Sequence, residues 1–191
     1  MTRLSVACIV EGVGEVSALP VLIRRIFLEL IPDCWPDIKP PIRLDRAKLS
    51  KPGELERRIE LAVEKATAVV ILFDSDDDCP SKLAATLKAR AAQSRSDVDT
   101  AVVIANREYE AWFIAAARSL SLLSGDEASP PDPESIRGAK AWVNKRLTTG
   151  YAPAADQAAL TATMSLEEAR RARSFDKLVR DLITLAQRAA T

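Results

Sequence analysis

The sequence contains no histidine among its 191 residues, and this absence excludes several kinds of catalytic site. Ser-His-Asp triads, Cys-His pairs, histidine zinc sites and histidine general bases all require an imidazole. Any catalysis by this chain must therefore use carboxylates, cationic side chains or a bound metal ion.

The sequence also has few cysteines, no net charge and no long apolar run. The cysteines Cys8, Cys34 and Cys79 are odd in number, far apart and without a C-x-x-C pair, which favours reduced thiols over disulfides or a zinc site. The 27 basic and 27 acidic residues cancel, so binding to nucleic acid or lipid would need a local patch. No apolar run approaches the roughly 20 residues of a membrane span, and residues 1–10 lead into a predicted strand rather than a signal peptide. We therefore expect a soluble, cytoplasmic protein without membrane association.

The most informative stretch is an apolar run that stops abruptly at several carboxylates. Residues 69–73 have the length and the Val, Ile and Phe content of a strand covered on both faces, and Asp74, Asp76, Asp77 and Asp78 follow. Ligands of open α/β sheets bind beyond the carboxyl ends of the strands. Asp74 and Asp76 are two residues apart, so an extended backbone would point both the same way and one cation could touch both. Alternatively, Asp77 and Asp78 only cap a helix that begins near Pro80 and favour its positive end.

A second acidic turn follows the first predicted strand, at residues 4–10. Its sequence is Glu11-Gly12-Val13-Gly14-Glu15, which lacks the Lys-Ser/Thr pair of a P-loop and the third glycine of G-x-G-x-x-G. Glu11 and Glu15 are four residues apart, so they share a face if a helix begins between them. Alternatively, Glu15 only favours the start of that helix.

The order of predicted elements is β-α-β-α-β-α-β-α, with strands at residues 4–10, 38–44, 69–73 and 101–105. This alternation predicts an α/β fold with a mainly parallel four-stranded sheet flanked by helices. The second strand should be poor and lie at an edge, because Pro40 and Pro41 cannot donate ladder hydrogen bonds. Asn106 is the predicted cap of a helix that carries Trp112. We expect an α/β domain at 1–118, a loop or linker at 119–138, and a helical segment at 139–191 that packs on the sheet.

Three known aspartate-rich sites do not fit the acidic run. An EF-hand loop needs glycine and glutamate where this chain has Cys79 and Ala85. A haloacid-type phosphatase carries Asp-x-Asp after the first strand rather than the third. A receiver domain needs an acidic pair after strand one, where the chain has only Glu11, and a lysine after strand five.

Four short motifs carry a resemblance to a known family. They are Glu11-Gly12-x-x-Glu15, Phe73-Asp74-x-Asp76, Arg107-Glu108-x-Glu110-x-Trp112 and Ser174-Phe175. The first two resemble the Toprim domain of topoisomerases, primases and OLD-type nucleases. The full set resembles the Toprim-like prokaryotic family called domain of unknown function 4276.

The resemblance implies a Toprim-like sheet in which the first and third predicted strands are adjacent, so that Glu11 lies beside Asp74 and Asp76. It also implies that Glu108 and Glu110 belong near the site, although both would also suit the first turn of a helix. A role in prokaryotic defence, often beside an ATPase partner protein, is part of the same implication.

An all-carboxylate site favours the hard cations Mg²⁺ or Mn²⁺ over zinc. We expect Asp74 and Asp76 to hold the ion, Glu11 to be a further ligand or the general base, and Glu15 or Glu108 to support a second ion. The predicted function is a metal-dependent phosphodiesterase, most simply a nuclease. The alternative is a non-catalytic metal-binding subunit that docks a partner such as an ATPase.

Basic residues predicted to contact nucleic acid are Arg107, Arg170, Arg173 and Lys177. The last three belong to the one basic cluster of the sequence, for which a solvated helix face is the simpler explanation. Trp112 suits the protein core better than a base-stacking platform.

Overall fold

The computed structural model describes residues 4–190 and shows a mixed α/β fold. The expected boundaries also include residues 1–3 and 191, which lie outside this range. A mainly parallel five-stranded sheet is flanked by helices and followed by a helical C-terminal segment, so the predicted fold class is confirmed. The strands are β1 Ser5–Val10, β2 Asp37–Ile38, β3 Ile42–Arg43, β4 Ala68–Asp74 and β5 Asp99–Ala105. The helices are α1 Val13–Leu30, α2 Arg46–Leu49, α3 Glu54–Val63, α4 Pro80–Ser94, α5 Glu110–Ala115, α6 Ala139–Asn144, α7 Pro153–Thr163, α8 Leu166–Ala169 and α9 Arg173–Ala189.

The strand order β2-β1-β4-β5 brings the two acidic turns to one edge of the sheet. β1 and β4 are parallel neighbours, with Val10 opposite Leu72. β4 and β5 are also parallel, with Asp74 opposite Ala105. Glu11 directly follows β1, and Asp74 is the last residue of β4. The two residues therefore lie at the carboxyl ends of adjacent strands.

The second predicted strand is two short strands rather than one, which is why the sheet has five strands and not four. β2 pairs with the start of β1, and β3 pairs with its end. Pro40 and Pro41 lie between them, and neither has an N–H with which to continue the ladder. Both strands lie on the outer side of β1, the edge position that the prolines predict.

Side chains of the central strands alternate between two hydrophobic layers. Val70 and Leu72 of β4 face the layer that contains α1, α5 and α9. Val69, Ile71 and Phe73 face the opposite layer, with α3 and α4. The apolar run is thus covered on both faces, as its composition predicts.

The C-terminal helices complete the first of these layers. Residues 119–138 are largely irregular and contain a short 3-10 helix, Pro133–Ser135. Beyond them α7 packs along α1, and α9 packs against β5. No helix within residues 4–190 is long and apolar enough to cross a membrane.

Helix α5 begins later than the sequence predicts. The expected cap was Asn106, but the helix starts at Glu110, with Tyr109 at the cap position. Arg107 adopts a left-handed backbone conformation (φ 66°), which interrupts any helix that starts at Asn106. Trp112 is fully buried and packs against Tyr109 in a tilted arrangement and against Phe175 edge to face, so its predicted place in the core is confirmed.

Candidate acidic site

Asp74 lies where several carboxylates act on one another. Its Oδ1 accepts the backbone N–H of Tyr109 at 2.9 Å, which fixes the orientation of the carboxyl group. Burial is the largest cause that raises the pKa of Asp74 well above its ordinary value. The negative charges of Glu15, Glu110 and Glu11 raise this pKa further. Carboxylates from the β1 end, α1 and α5 therefore act electrostatically on the β4 end.

Glu11 occupies the end of the adjacent strand. Burial raises its pKa, Arg46 opposes the shift, and the negative charge of Asp76 adds to it. The Oε2 atom is buried and has no hydrogen-bond partner among residues 4–190. A buried carboxylate oxygen without a partner is costly, and a cation or a proton would relieve it.

Asp76 does not continue the strand, so the expectation that it points the same way as Asp74 through strand alternation is wrong. β4 ends at Asp74, and Asp76 is exposed with a left-handed backbone (φ 49°). The chain turns there because the Asp76 N–H donates to the Arg107 carbonyl at 3.0 Å. The negative charge of Asp76 nevertheless acts on Glu11 and raises the pKa of that group.

Ser75 ties the turns after β4 and β5 together. It is fully buried, and its N–H donates to the Ala105 carbonyl at 2.9 Å. Its Oγ accepts the Arg107 N–H at 2.7 Å. Two positive-φ residues, Asp76 and Arg107, thus face each other across a turn that these bonds hold.

Glu15 reaches the site from the first turn of α1. Its Oε1 accepts Gln157 Nε2 of α7 at 3.1 Å. Its Oε2 is buried and lacks a hydrogen-bond partner in the described part of the chain. Glu15 therefore adds negative charge to the edge rather than only favouring the start of a helix.

The two glutamates of the third motif have different surroundings. Glu108 Oε2 accepts the backbone N–H of Lys140 at 2.7 Å, so this carboxylate is engaged with the start of α6. Glu110 is 2% exposed, and burial raises its pKa. It is Glu110 whose charge acts on Asp74, while Glu108 acts on Glu110.

Asp77 and Asp78 form ion pairs instead of capping α4. Asp77 Oδ1 accepts from Arg137 at 2.8 Å and from Arg107 at 3.4 Å. Asp78 pairs with Arg46. The cap position of α4 is Cys79, which makes no side-chain cap bond, so the capping explanation is wrong.

Several residues of the site carry no obvious signal in the sequence. Arg46 donates to the Asp74 carbonyl at 3.0 Å, and only its position just after β3, which ends at the same edge, hints at this. The Tyr151 hydroxyl is buried beside the Glu110 carboxylate, with which it interacts. Burial, followed by the charge of Glu110, raises its pKa. Tyr151 and Gln157 come from the C-terminal segment, where no local pattern marks them.

The predicted nucleic-acid contacts lie at several places. Arg170 pairs with Asp176 at 2.7 Å, and Lys177 donates to the Val102 carbonyl at 2.8 Å. Arg173 is exposed and lines a groove of about 580 Å³ between the start of α4, the end of β5 and α9. Arg107 lies next to Asn106, which lines the same groove.

The donor atoms of the site suit a hard cation. All are oxygens, and two buried ones, Glu11 Oε2 and Glu15 Oε2, have no hydrogen-bond partner in residues 4–190. No three acidic or cysteine side chains of the described chain already enclose a common point. The residues therefore fit Mg²⁺ or Mn²⁺ by donor chemistry, without a preformed cage.

Comparison with known proteins identifies one family. A family model described as "Domain of unknown function (DUF4276)" matches residues 10–183, a range that contains every residue of the acidic site. No curated protein and no solved structure matches the chain.

Proposed function

The chain belongs to the DUF4276 family, whose description assigns no activity. From the acidic site we propose that the protein is a divalent-metal-dependent phosphodiesterase of Toprim type, most simply a nuclease. One observation carries the proposal: Glu11 and Glu15 each leave a buried carboxylate oxygen without a hydrogen-bond partner in the described chain, close to Asp74. Uncompensated negative charge at the carboxyl edge of a parallel sheet favours a bound cation. The adjacency of β1 and β4 supports the Toprim assignment.

Each acidic residue has a proposed role. Asp74 and Asp76 would hold Mg²⁺ or Mn²⁺, with Glu11 as a further ligand or as the general base, and Glu15 and Glu108 or Glu110 would lie near a second ion. When bound, the ion polarises a phosphoryl group and lowers the pKa of water. The Tyr109 N–H keeps Asp74 Oδ1 in place.

Glu11 has the properties of a general base. Burial raises its pKa, which makes the carboxylate a stronger proton acceptor near neutral pH. Its Oε2 has no hydrogen-bond partner among residues 4–190, although the Asp74 backbone N–H acts on the same carboxylate and lowers its pKa. In this proposal Arg46, whose charge acts on Glu11, would bring positive charge to a phosphoryl oxygen.

The proposed substrate is a nucleic-acid strand. Arg173 and Arg180 line the groove of about 580 Å³ that opens at the same carboxyl edge of the sheet. Arginine and lysine bind the phosphate backbone whatever the base sequence, which suits a nuclease of low sequence selectivity. A role in prokaryotic defence and an ATPase partner are part of this proposal.

A cleavage assay tests the proposal. Wild type and Asp74→Asn are incubated with labelled DNA and RNA in Mg²⁺, Mn²⁺ or EDTA, with and without an ATPase partner. We expect cleavage by wild type with metal only, and loss of cleavage in Asp74→Asn. Asp77→Asn is the matched control, since it removes one negative charge at the same edge and should cleave as wild type does. Equal cleavage by Asp74→Asn would indicate a contaminant.

One observation favours the second candidate, a non-catalytic subunit that docks a partner. Leu28, Leu30 and Trp35 are 56%, 40% and 67% exposed around the end of α1. These exposed side chains lie at the end of α1 and before β2, away from the acidic turns at the carboxyl edge of the sheet, and exposed apolar side chains favour contact with a partner. If docking is the function, Leu28→Ser with Trp35→Ser should abolish co-elution with the ATPase, and wild type should cleave nothing under any metal condition.

A further inference from the structure

Helix α7 contributes a side chain to the acidic site from 142 residues away in sequence. Gln157 is fully buried, and its Nε2 donates to Glu15 Oε1 at 3.1 Å. Buried polar atoms are normally paired. Here Gln157 Oε1 and Glu15 Oε2 both remain without a hydrogen-bond partner in the described chain, so one hydrogen bond leaves two oxygens free beside it.

Two glycines make the space for this pair. A Cβ on Gly12 would lie 2.3 Å from Glu15 Oε2, so the carboxylate is folded back over the turn that joins β1 to α1. A Cβ on Gly14 would lie 1.6 Å from Gln157 Oε1 and 3.0 Å from Pro153 Cβ. Gly14 is inside α1, where any residue has suitable backbone angles. The close approach of α7, rather than a special φ, is what requires glycine at this position.

The donor to Glu15 is a neutral amide, that of Gln157, which suits a site that keeps its negative charge. A lysine or arginine at position 157 would orient Glu15 but would also neutralise it. The amide of Gln157 orients the carboxylate without adding charge. The charge of Glu15 acts on both Asp74 and Glu11, so the hydrogen bond holds a group whose field reaches both strand ends.

We propose that Gln157 is a positioning residue that holds the Glu15 carboxylate over Gly12 and leaves Oε2 free for a divalent cation. The inference rests on the proposed function, because it assigns Glu15 to the same cation site. It also makes the acidic site dependent on the C-terminal segment. Outer partners that orient a metal ligand typically change metal affinity by about 10–100-fold.

The test compares full-length wild type with Gln157→Met, which keeps the side-chain length and removes the donor. Mn²⁺ affinity is measured by the electron paramagnetic resonance of free Mn²⁺, and a crystal structure of the metal-free variant is determined. We expect Mn²⁺ binding to weaken by about tenfold and the Glu15 carboxylate to leave Gly12. The control is Thr161→Val, which removes another buried bond of α7, between Thr161 Oγ1 and Tyr109 Oη at 2.9 Å. It should keep the Mn²⁺ affinity of wild type.

The outcomes separate this inference from the proposed function. Gln157→Met with unchanged Mn²⁺ affinity overturns the positioning role, even if the variant is less stable. So does a metal-free Gln157→Met structure in which Glu15 stays over Gly12. If wild type binds no Mn²⁺ and cleaves nothing, the proposed function fails together with the cation part of this inference, and the metal-free structure then decides whether Gln157 holds Glu15 over Gly12.

Discussion

At the scale of single residues, Asp74 combines a structural contact with an electrostatic penalty. Its Oδ1 accepts the Tyr109 N–H, yet burial and three neighbouring carboxylates oppose its ionisation. Because the pKa of an acid is raised by folding here, the protonated form stabilises the folded state. That stability is fully present below the unfolded pKa of about 3.9 and is lost as the pH rises through the folded pKa.

Asp74→Asn should therefore stabilise the metal-free protein, and increasingly so as the pH rises. Asparagine keeps an Oδ1 that accepts the Tyr109 N–H and removes the charge. We expect no gain in melting temperature near pH 3.5 and a clear gain at pH 7–8, where each kcal/mol relieved corresponds to roughly 2–4 °C. Thermal unfolding of both proteins in EDTA across this range gives the answer. A gain confined to acidic pH would mean that the sign is wrong.

Ser75→Ala should destabilise the protein, because it leaves the Arg107 N–H without its acceptor at 2.7 Å. The loss of a hydrogen bond that satisfies a buried group typically costs about 1–3 kcal/mol. Chemical denaturation measures the change, with the exposed Ser50→Ala as a control that should stay within about 0.5 kcal/mol of wild type. Equal stability of the two variants would show that the turn is held by other contacts.

At the scale of elements, two motifs of the sequence meet through one hydroxyl. Trp112 Nε1 of α5 donates to Ser174 Oγ of α9 at 2.8 Å. Ser174 donates in turn to Glu134 Oε1, through N at 2.9 Å and Oγ at 2.5 Å. Helices α5 and α9 and the irregular segment before α6 are thus joined by one buried network, which fixes α5 beside the acidic edge.

Gly14→Ala tests the packing of α1 on α7. Intrinsic helix propensity alone favours alanine by about 1 kcal/mol. A Cβ would, however, lie 1.6 Å from Gln157 Oε1 and 3.0 Å from Pro153 Cβ, so the two helices must separate or Gln157 must move. We expect net destabilisation in thermal unfolding, whereas Ser17→Ala on the exposed side of the same helix should be near neutral or stabilising. A Gly14→Ala variant more stable than wild type would mean that α7 can move away from α1 without lowering the stability of the fold.

At the scale of the whole molecule, cation binding should be linked to folding. A ligand that binds only the folded state stabilises it by RT ln(1 + [L]/Kd), about 2.7 kcal/mol at 100 times Kd. We expect Mn²⁺ to raise the melting temperature of wild type at pH 7.5. The increase should shrink as the pH falls through the raised pKa values of Asp74 and Glu11, because protons compete for the same oxygens.

The same measurement on Asp74→Asn provides the contrast. The variant should respond little to Mn²⁺ at any pH, since a principal ligand is gone. A response as large as that of wild type would place the bound ion elsewhere on the molecule.

The sequence by itself determined the layout of the fold. Apolar runs and their alternation with helical periods indicated the parallel sheet, and the prolines indicated a weak edge strand. The break from apolar residues to carboxylates at Asp74 marked the candidate edge. These are local signals, because strand and helix periodicities are set by neighbours within a few residues.

Only the tertiary structure decided which side chains meet at that edge. The turn at Asp76 depends on a bond to Arg107 in the next strand's loop, so local spacing could not reveal it. Glu110, rather than Glu108, acts on Asp74 because α5 starts at Glu110 and because Glu108 accepts the backbone N–H of Lys140 at the start of α6. Gln157 joins Glu15 across 142 residues, a pairing that exists only because α7 packs on a glycine of α1. Contacts between distant elements are set by packing, which no local pattern in the chain encodes.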